Sequence, residues 1–323
     1  MSNLEKNPPE LVMTDATRPG FELLEPRNVP LGGPRAMEVR RTLPQRARSL
    51  IGAWCFVDHY GPDAVARAAG MVVPPHPHTG LQTVSWLFAG EIEHRDSSGA
   101  HAMVRPGELN LMTAGRGIQH SEVSTIATTM LHGAQLWVAL PDAVRHTTPQ
   151  FEHFVPTPLD FGGTTVRVFL GALLGSSSPA TTYTPLVGAQ LDIPAGATAL
   201  LPVDSTFEHG VLVDSGTLRL DGRDVPVAHL AYLAPGRSEL MLEAGEVPVR
   251  ALLIGGAPLG ERIVMWWNFI GRSHEEITDF RQRWQTEVIA SQTDGGQFGH
   301  VDGFDGTPLP APELPNVRLR PRQ

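Results

Sequence analysis

Residues 74–80 read PPHPHTG and residues 115–122 read GRGIQHSE. Each stretch carries two metal-ligating residue types at i, i+2: His76 and His78 in the first, His120 and Glu122 in the second. Alternate side chains of a β-strand share a face. If both stretches are strands of one barrel, the four side chains converge on one interior point. Three imidazoles and a carboxylate form a divalent-metal site of mixed nitrogen and oxygen character.

The surrounding chain reads as strand, turn, strand. Residues 81–88 are rich in β-branched and aromatic types and Ala89-Gly90 breaks them. Residues 91–96 follow, and Ser97-Ser98-Gly99 is a turn. Pro106-Gly107 opens a further turn before residues 109–112. Residues 131–140 form a strand that Pro141-Asp142 ends. With 33 glycines and 29 prolines and no collagen period, turns this frequent point to a closed β-barrel or sandwich.

The plan is repeated between about residues 182 and 256. Leu87-Phe88-Ala89-Gly90-Glu91-Ile92 resembles Val213-Asp214-Ser215-Gly216-Thr217-Leu218, and Leu111-Met112-Thr113-Ala114-Gly115 resembles Tyr232-Leu233-Ala234-Pro235-Gly236. This indicates an internal duplication of a small barrel. Aligned on their glycines, His76 falls opposite Pro202, His78 opposite Asp204, His120 opposite Met241 and Glu122 opposite Glu243. The second copy therefore lacks the ligand set and is expected to be metal-free, with His209 structural or at the surface. The domain plan is a flexible arm over 1–35, a metal-bearing barrel over 36–160 and a linker over 161–180. A metal-free barrel with a C-terminal helix over 181–292 and an extended tail over 293–323 complete it. Ser273 and Glu276 have capping-box spacing. Behind them Ile277, Phe280, Trp284 and Val288 recur at the three- and four-residue steps of a helix with one buried face.

Composition excludes several classes. A net charge of -9 argues against nucleic acid as a direct ligand, because phosphate binding needs a concentrated basic surface. The densest basic run, Arg35, Arg40, Arg41, Arg46 and Arg48, reads as a solvated strand face or loop. Cys55 is the single cysteine and sits in an apolar run, so a disulfide framework is excluded and a buried inert thiol is expected. No long apolar span reads as a membrane helix, and the N-terminal residues lack the layout of a signal peptide. The expectation is a cytoplasmic protein.

Two blocks, PPHPHTGLQTVSWLFAGEIEHRDSSG (residues 74–99) and PGELNLMTAGRGIQHSE (106–122), resemble the pirin family of the cupin superfamily. The resemblance extends to TLPQRARSLIGAWCFVDHYGP (42–62), GAQLWVALP (133–141) and IVMWWNFIGRSHEEI (263–277), and so covers most of residues 35–290. It implies an all-β fold of two cupin (jelly-roll) barrels with a short C-terminal helix. It also implies one metal, usually iron, held in the first barrel by His76, His78, His120 and Glu122. Some members of the family resemble quercetin dioxygenases in activity; a nuclear branch acts as an iron-dependent partner of transcription factors. The general cupin pattern has a glutamate four residues after the second histidine, where this chain has Gln82. In pirins the carboxylate follows the later histidine, as Glu122 does here.

Mixed His and Glu ligation suits Fe(II), and also Mn, Ni, Cu or Zn. Four protein ligands leave positions for a flavonol-like enediol oxygen and for O2, with Glu122 as proton acceptor. Gln82 is placed to bond a metal-bound water or a ligand residue, and Gln135 to orient substrate or water. Arg116 is open between a pocket mouth and a solvated loop. Trp86, Phe88 and Trp137 read as core packing ahead of pocket lining, and His94 and His132 as supporting or surface residues. The expected function is a metal-dependent dioxygenase of quercetin-like flavonols. The alternative is a non-enzymatic iron- or redox-sensing protein that regulates a transcription factor or metabolic enzyme.

Overall fold

The structure, a computed structural model, describes residues 20–31, 37–46, 48–65, 70–291 and 296–320. Two barrels of matching topology stand side by side. In the first, a seven-stranded sheet runs in the order Gln150–Phe154, Leu109–Thr113, Leu81–Ala89, Leu131–Ala139, Trp54–Asp63, Met37–Leu43, Arg27–Leu31. It faces a four-stranded sheet in the order Val72–His78, Ile118–Ser124, Ile92–Asp96, His101–Val104. The second barrel repeats both. Thr198–Pro202, Glu239–Ala244, Leu218–Leu220 and Arg223–Val225 form its four-stranded sheet. The chain is thus a mostly β bicupin with one short C-terminal helix, His274–Arg283.

The interiors differ sharply. The second barrel is filled by aliphatic side chains, including Val168, Val187, Leu191, Val211, Leu240 and Leu253. Glycine alignment placed Met241 and Glu243 at the ligand positions. On the equivalent strands the buried residues are instead Ala199, Leu201, Leu240 and Leu242, one step out of that register. A single-residue slip exchanges the two faces of a strand, and turn glycines alone do not fix it.

A shared core joins the barrels. Val84, Trp86 and Leu136 of the first pack with Phe169, Leu212 and Leu252 of the second. Trp86 stacks on Phe169 at 4.6 Å and donates its indole N–H to Gln190 Oε1 at 2.8 Å.

Two expected segments differ from what the structure shows. Within the arm placed at 1–35, Phe21–Leu24 pairs with Leu230–Leu233 of the second barrel, and Arg27–Leu31 pairs with Met37–Leu43 of the first. Pro30 is accommodated because Arg27–Leu31 is the edge strand of its sheet; residues 1–19 and 32–36, and with them Arg35, lie outside the described residues. The expected linker at 161–180 contains the whole strand Thr164–Leu173, which pairs with Leu159–Phe161. Gly162 and Gly163, with φ of 58° and 88°, form a two-residue hairpin turn rather than a flexible joint. The barrels are joined instead at residues 155–158.

Ser273 caps the helix by accepting from Glu276 N–H, and Ile277, Phe280 and Trp284 are buried. Glu276 reaches Arg272 N–H, one residue before the position a capping box uses. Residues 296–320 have little regular secondary structure but are packed, with Phe298, Val301, Ala311 and Leu319 buried and Leu309 N–H bonded to Pro75 O. Residues 321–323, including Arg322, lie outside the described residues.

Candidate metal centre

His76 and His78 lie on the central-facing side of Val72–His78, and His120 pairs directly opposite His76 across the sheet. A bulge between His120 and Glu122 then shifts the register, and Glu122 pairs with His94 on the neighbouring strand. All four expected ligands are 0% exposed. The ligand atoms of His76, His78 and His120 lie within 4.8 Å of one another; those of His94, His120 and Glu122 form a second group sharing His120. The three histidines expected as ligands thus converge, while Glu122 is grouped with His120 and His94 and not with His76 or His78.

Hydrogen bonds set the tautomers. His76 Nδ1 lies 2.9 Å from the Pro74 carbonyl, so Nδ1 carries the proton and Nε2 keeps its lone pair. His94 Nε2 lies 2.9 Å from Asp96 Oδ2 and donates to it. His94 Nδ1 is then the acceptor for His120 Nδ1, 3.4 Å away, which leaves the His120 Nε2 lone pair free. This chain from Asp96 through His94 to His120 has the form of the outer layer that orients imidazoles in metal centres. Burial works against the Asp96 carboxylate, but hydrogen bonds from His94 and Ser98 outweigh it and hold its pKa below the ordinary value.

Burial pushes His76, His78 and His120 well below the usual imidazole pKa, which keeps them neutral, as metal ligation requires. His78 Nε2 and His120 Nε2 face each other at 3.1 Å. His76 Nε2 has no hydrogen-bond partner among the described residues. Converging, unprotonated nitrogens beside a carboxylate fit a divalent cation.

Trp137 lines this interior, edge-on to His78 at 5.1 Å and stacked on Phe56 at 4.0 Å. Gln135 also points inward: Ser85 Oγ lies 2.9 Å from Gln135 Oε1 and 3.4 Å from Glu122 Oε1. Ser85 was not singled out from sequence; only the pairing register reveals it. Because Ser85 faces inward, Gln82, Val84 and Trp86 face the other barrel. Gln82 donates to Thr113 Oγ1 at 2.9 Å and to the Thr181 carbonyl at 3.1 Å, so the role expected for it beside the metal is not what the structure shows. Arg116 is exposed and donates to Thr148 Oγ1 at 3.2 Å. It borders a surface cleft of about 690 Å³ whose lining includes none of the four ligands.

His132 belongs to a different cluster, between the barrels. Asp214 Oδ1 lies 2.7 Å from His59 Nε2 and 2.5 Å from His132 Nε2, and Arg250 Nε donates to Oδ2 at 2.7 Å. Arg40 stands against His59 Nδ1 at 3.3 Å. The Arg250 guanidinium on the carboxylate and the Arg40 guanidinium on the far side of His59 disfavour a further cation here. His209 is buried as a structural residue, and burial pushes its pKa down to about 4. Cys55 is buried, and burial pushes its thiol pKa up. No helix among the described residues is long and apolar enough to cross a membrane.

Comparison with known proteins agrees with this architecture. Residues 36–138 match the pirin family model and residues 188–290 the model of the pirin C-terminal cupin domain. A Pseudomonas aeruginosa protein named "Putative quercetin 2,3-dioxygenase" is 42% identical over 290 residues, covering 90% of this chain and 89% of that protein. A pirin-like protein of Caulobacter vibrioides is 36% identical over 273 residues, covering 81% of this chain and 93% of its own length. The crystal structure of quercetin 2,3-dioxygenase from Acinetobacter baumannii superposes with a TM-score of 0.87 at 35% identity, over 94% of this chain and 98% of that one. With both domain models matched in order along a two-barrel chain, the protein belongs to the pirin family.

Proposed function

We propose that this pirin is a metal-dependent dioxygenase that opens the ring of quercetin-like flavonols with O2, its metal held by His76, His78, His120 and Glu122. The observation that carries the reading is the convergence of neutral imidazole nitrogens beside Glu122 in a barrel that also presents inward polar groups. The names of the Pseudomonas and Acinetobacter relatives support the substrate class. When bound, the metal supplies Lewis acidity toward an enol hydroxyl and the redox chemistry that dioxygen needs; Fe(II) is the first choice for this ligand set.

The chain's residues do the rest. Glu122 accepts the proton of the substrate enol, and the Ser85 hydroxyl stands between its carboxylate and Gln135. The Asp96–His94–His120 chain fixes the imidazole that lies beside Glu122. Trp137 offers an aromatic wall beside His78 and contributes to keeping bulk water from the centre. A cytoplasmic location accords with the lone reduced, buried cysteine.

One observation favours a second reading, an iron- or redox-sensing interaction protein: the four ligands are wholly buried, so a substrate needs an opening while a metal ion alone does not. Oxygen uptake by the Fe(II)-loaded chain with quercetin separates the two. Uptake well above that of His76→Ala and Glu122→Gln is expected; uptake no greater than theirs would overturn the dioxygenase.

A further inference from the structure

One row of polar side chains crosses the large sheet of the first barrel. Reading across six neighbouring strands, the directly paired residues are Arg41, Asp58, Gln135, Ser85, Asn110 and His153. Paired residues of adjacent strands share a face. This face is the barrel interior, since Met112 and Phe151, which share the parity of Asn110 and His153, pack with Trp137 and Ile118. Next to the row this face packs apolar side chains such as Met112, Ile118 and Trp137, so its buried polar groups are costly unless each is satisfied.

The row is satisfied at one end and open in the middle. Arg41 and Asp58 form a buried two-point ion pair at 2.6 and 2.7 Å. At the opposite end His153 reaches solvent and bonds Glu108 Oε2 at 2.9 Å. Between them Asn110 is 3% exposed, and neither its amide nitrogen nor its oxygen has a partner among the described residues. Gln135 is 1% exposed and its Nε2 is likewise unpartnered. Ser85, between these two amides, touches Glu122. Unpaired amide atoms thus flank Ser85, which lies beside the candidate proton acceptor, and Asn110 stands between it and the edge strand Gln150–Phe154. On that strand Phe151 stacks on His94 at 4.7 Å.

We infer that Asn110 and Gln135 are specificity-determining residues, whose amides hydrogen-bond hydroxyl and carbonyl oxygens of a planar, polyoxygenated aromatic ligand entering from the His153 edge. The inference rests on the flavonol reading above and deepens it. An apolar pocket recognises a flat ring by area alone. A buried amide left unpaired by the wrong ligand penalises that ligand, which is how hydroxyl number and position are read. Phe151 and Trp137 supply the aromatic surfaces, and the row supplies the polar discrimination.

The test is anaerobic titration of the metal-loaded full chain with quercetin and with 3-hydroxyflavone, which keeps the enol but lacks the other hydroxyls. Wild type, Asn110→Leu and Gln135→Leu are compared, with metal content and thermal midpoint recorded for each. The expected result is about ten-fold weaker quercetin binding in each variant, the loss of one buried hydrogen bond. Affinity for 3-hydroxyflavone and metal stoichiometry are expected to stay unchanged in both variants. Folding is expected to stay unchanged in Asn110→Leu, whose amide has no partner among the described residues, whereas Gln135→Leu also gives up the Ser85 bond and is judged against its own thermal midpoint. Equal quercetin affinity in wild type and both variants, or an equal loss for both flavonols, would overturn this inference and leave the flavonol reading standing. Failure of the wild-type chain to bind either flavonol would overturn both.

Discussion

Removing His120 should abolish the stabilisation that metal gives this protein. His120 belongs to both candidate ligand groups, and its Nε2 faces that of His78 at 3.1 Å. A ligand that binds only the folded state, at a hundred times its dissociation constant, stabilises by about 2.7 kcal/mol. The Trp86–Phe169 stack and the shared core tie the barrels together, so they are expected to unfold as one unit of 323 residues. At about 2.1 cal/mol/K per residue this corresponds to a rise in midpoint of about 4 °C. If the first barrel, roughly 120 residues, unfolded alone, the same energy would give about 11 °C. The assay is thermal denaturation of wild type and His120→Ala, each with chelator and with excess Fe(II) or a redox-inert substitute such as Zn(II). Each variant is its own reference, so the cavity left by alanine does not enter. An undiminished shift in His120→Ala would refute the site, and a shift near 11 °C in wild type would refute the single unfolding unit.

Three further outcomes are expected. His209 is buried with a pKa of about 4, so the unfolded chain takes up its proton first as the pH falls, and stability is lost between about pH 6.5 and 4. Chemical denaturation at about pH 7 and 4.5 should show His209→Leu losing about 2 kcal/mol less than wild type over that interval, and equal slopes would contradict it. Trp86→Ala should cost about 3–5 kcal/mol in the same assay by hollowing the interbarrel core while leaving metal content intact; a loss of metal would mean that Trp86 lines the centre after all. Gln82→Leu should keep metal content and quercetin turnover within about two-fold, because its amide serves Thr113 and Thr181 on the far side of the strand.

What the sequence disclosed and what it concealed divide along a physical line. Strand identity is local: the turns at Ala89-Gly90, Ser97-Ser98-Gly99 and Pro141-Asp142 bound strands within a residue or two of where they lie, and the i, i+2 spacing placed His76 and His78 on one face. Which strand lies beside which, and in what register, is a property of the whole sheet. Ser85, Asn110 and the Asp96–His94–His120 chain acquire meaning only through pairing, as Gln135 opposite Ser85 and Glu122 opposite His94 show. Gln82 was misplaced for the same reason, since the choice of face depends on the parity that pairing sets. The second barrel repeats the point, with aliphatic residues one step from the positions that turn alignment selected. Duplication preserved the sheet order while one interior kept polar groups and the other closed into a dry core. The shared core then lets the packed barrel buttress the polar one: apolar burial in the second copy and at the joint helps offset the desolvation of imidazoles, amides and an ion pair inside the first.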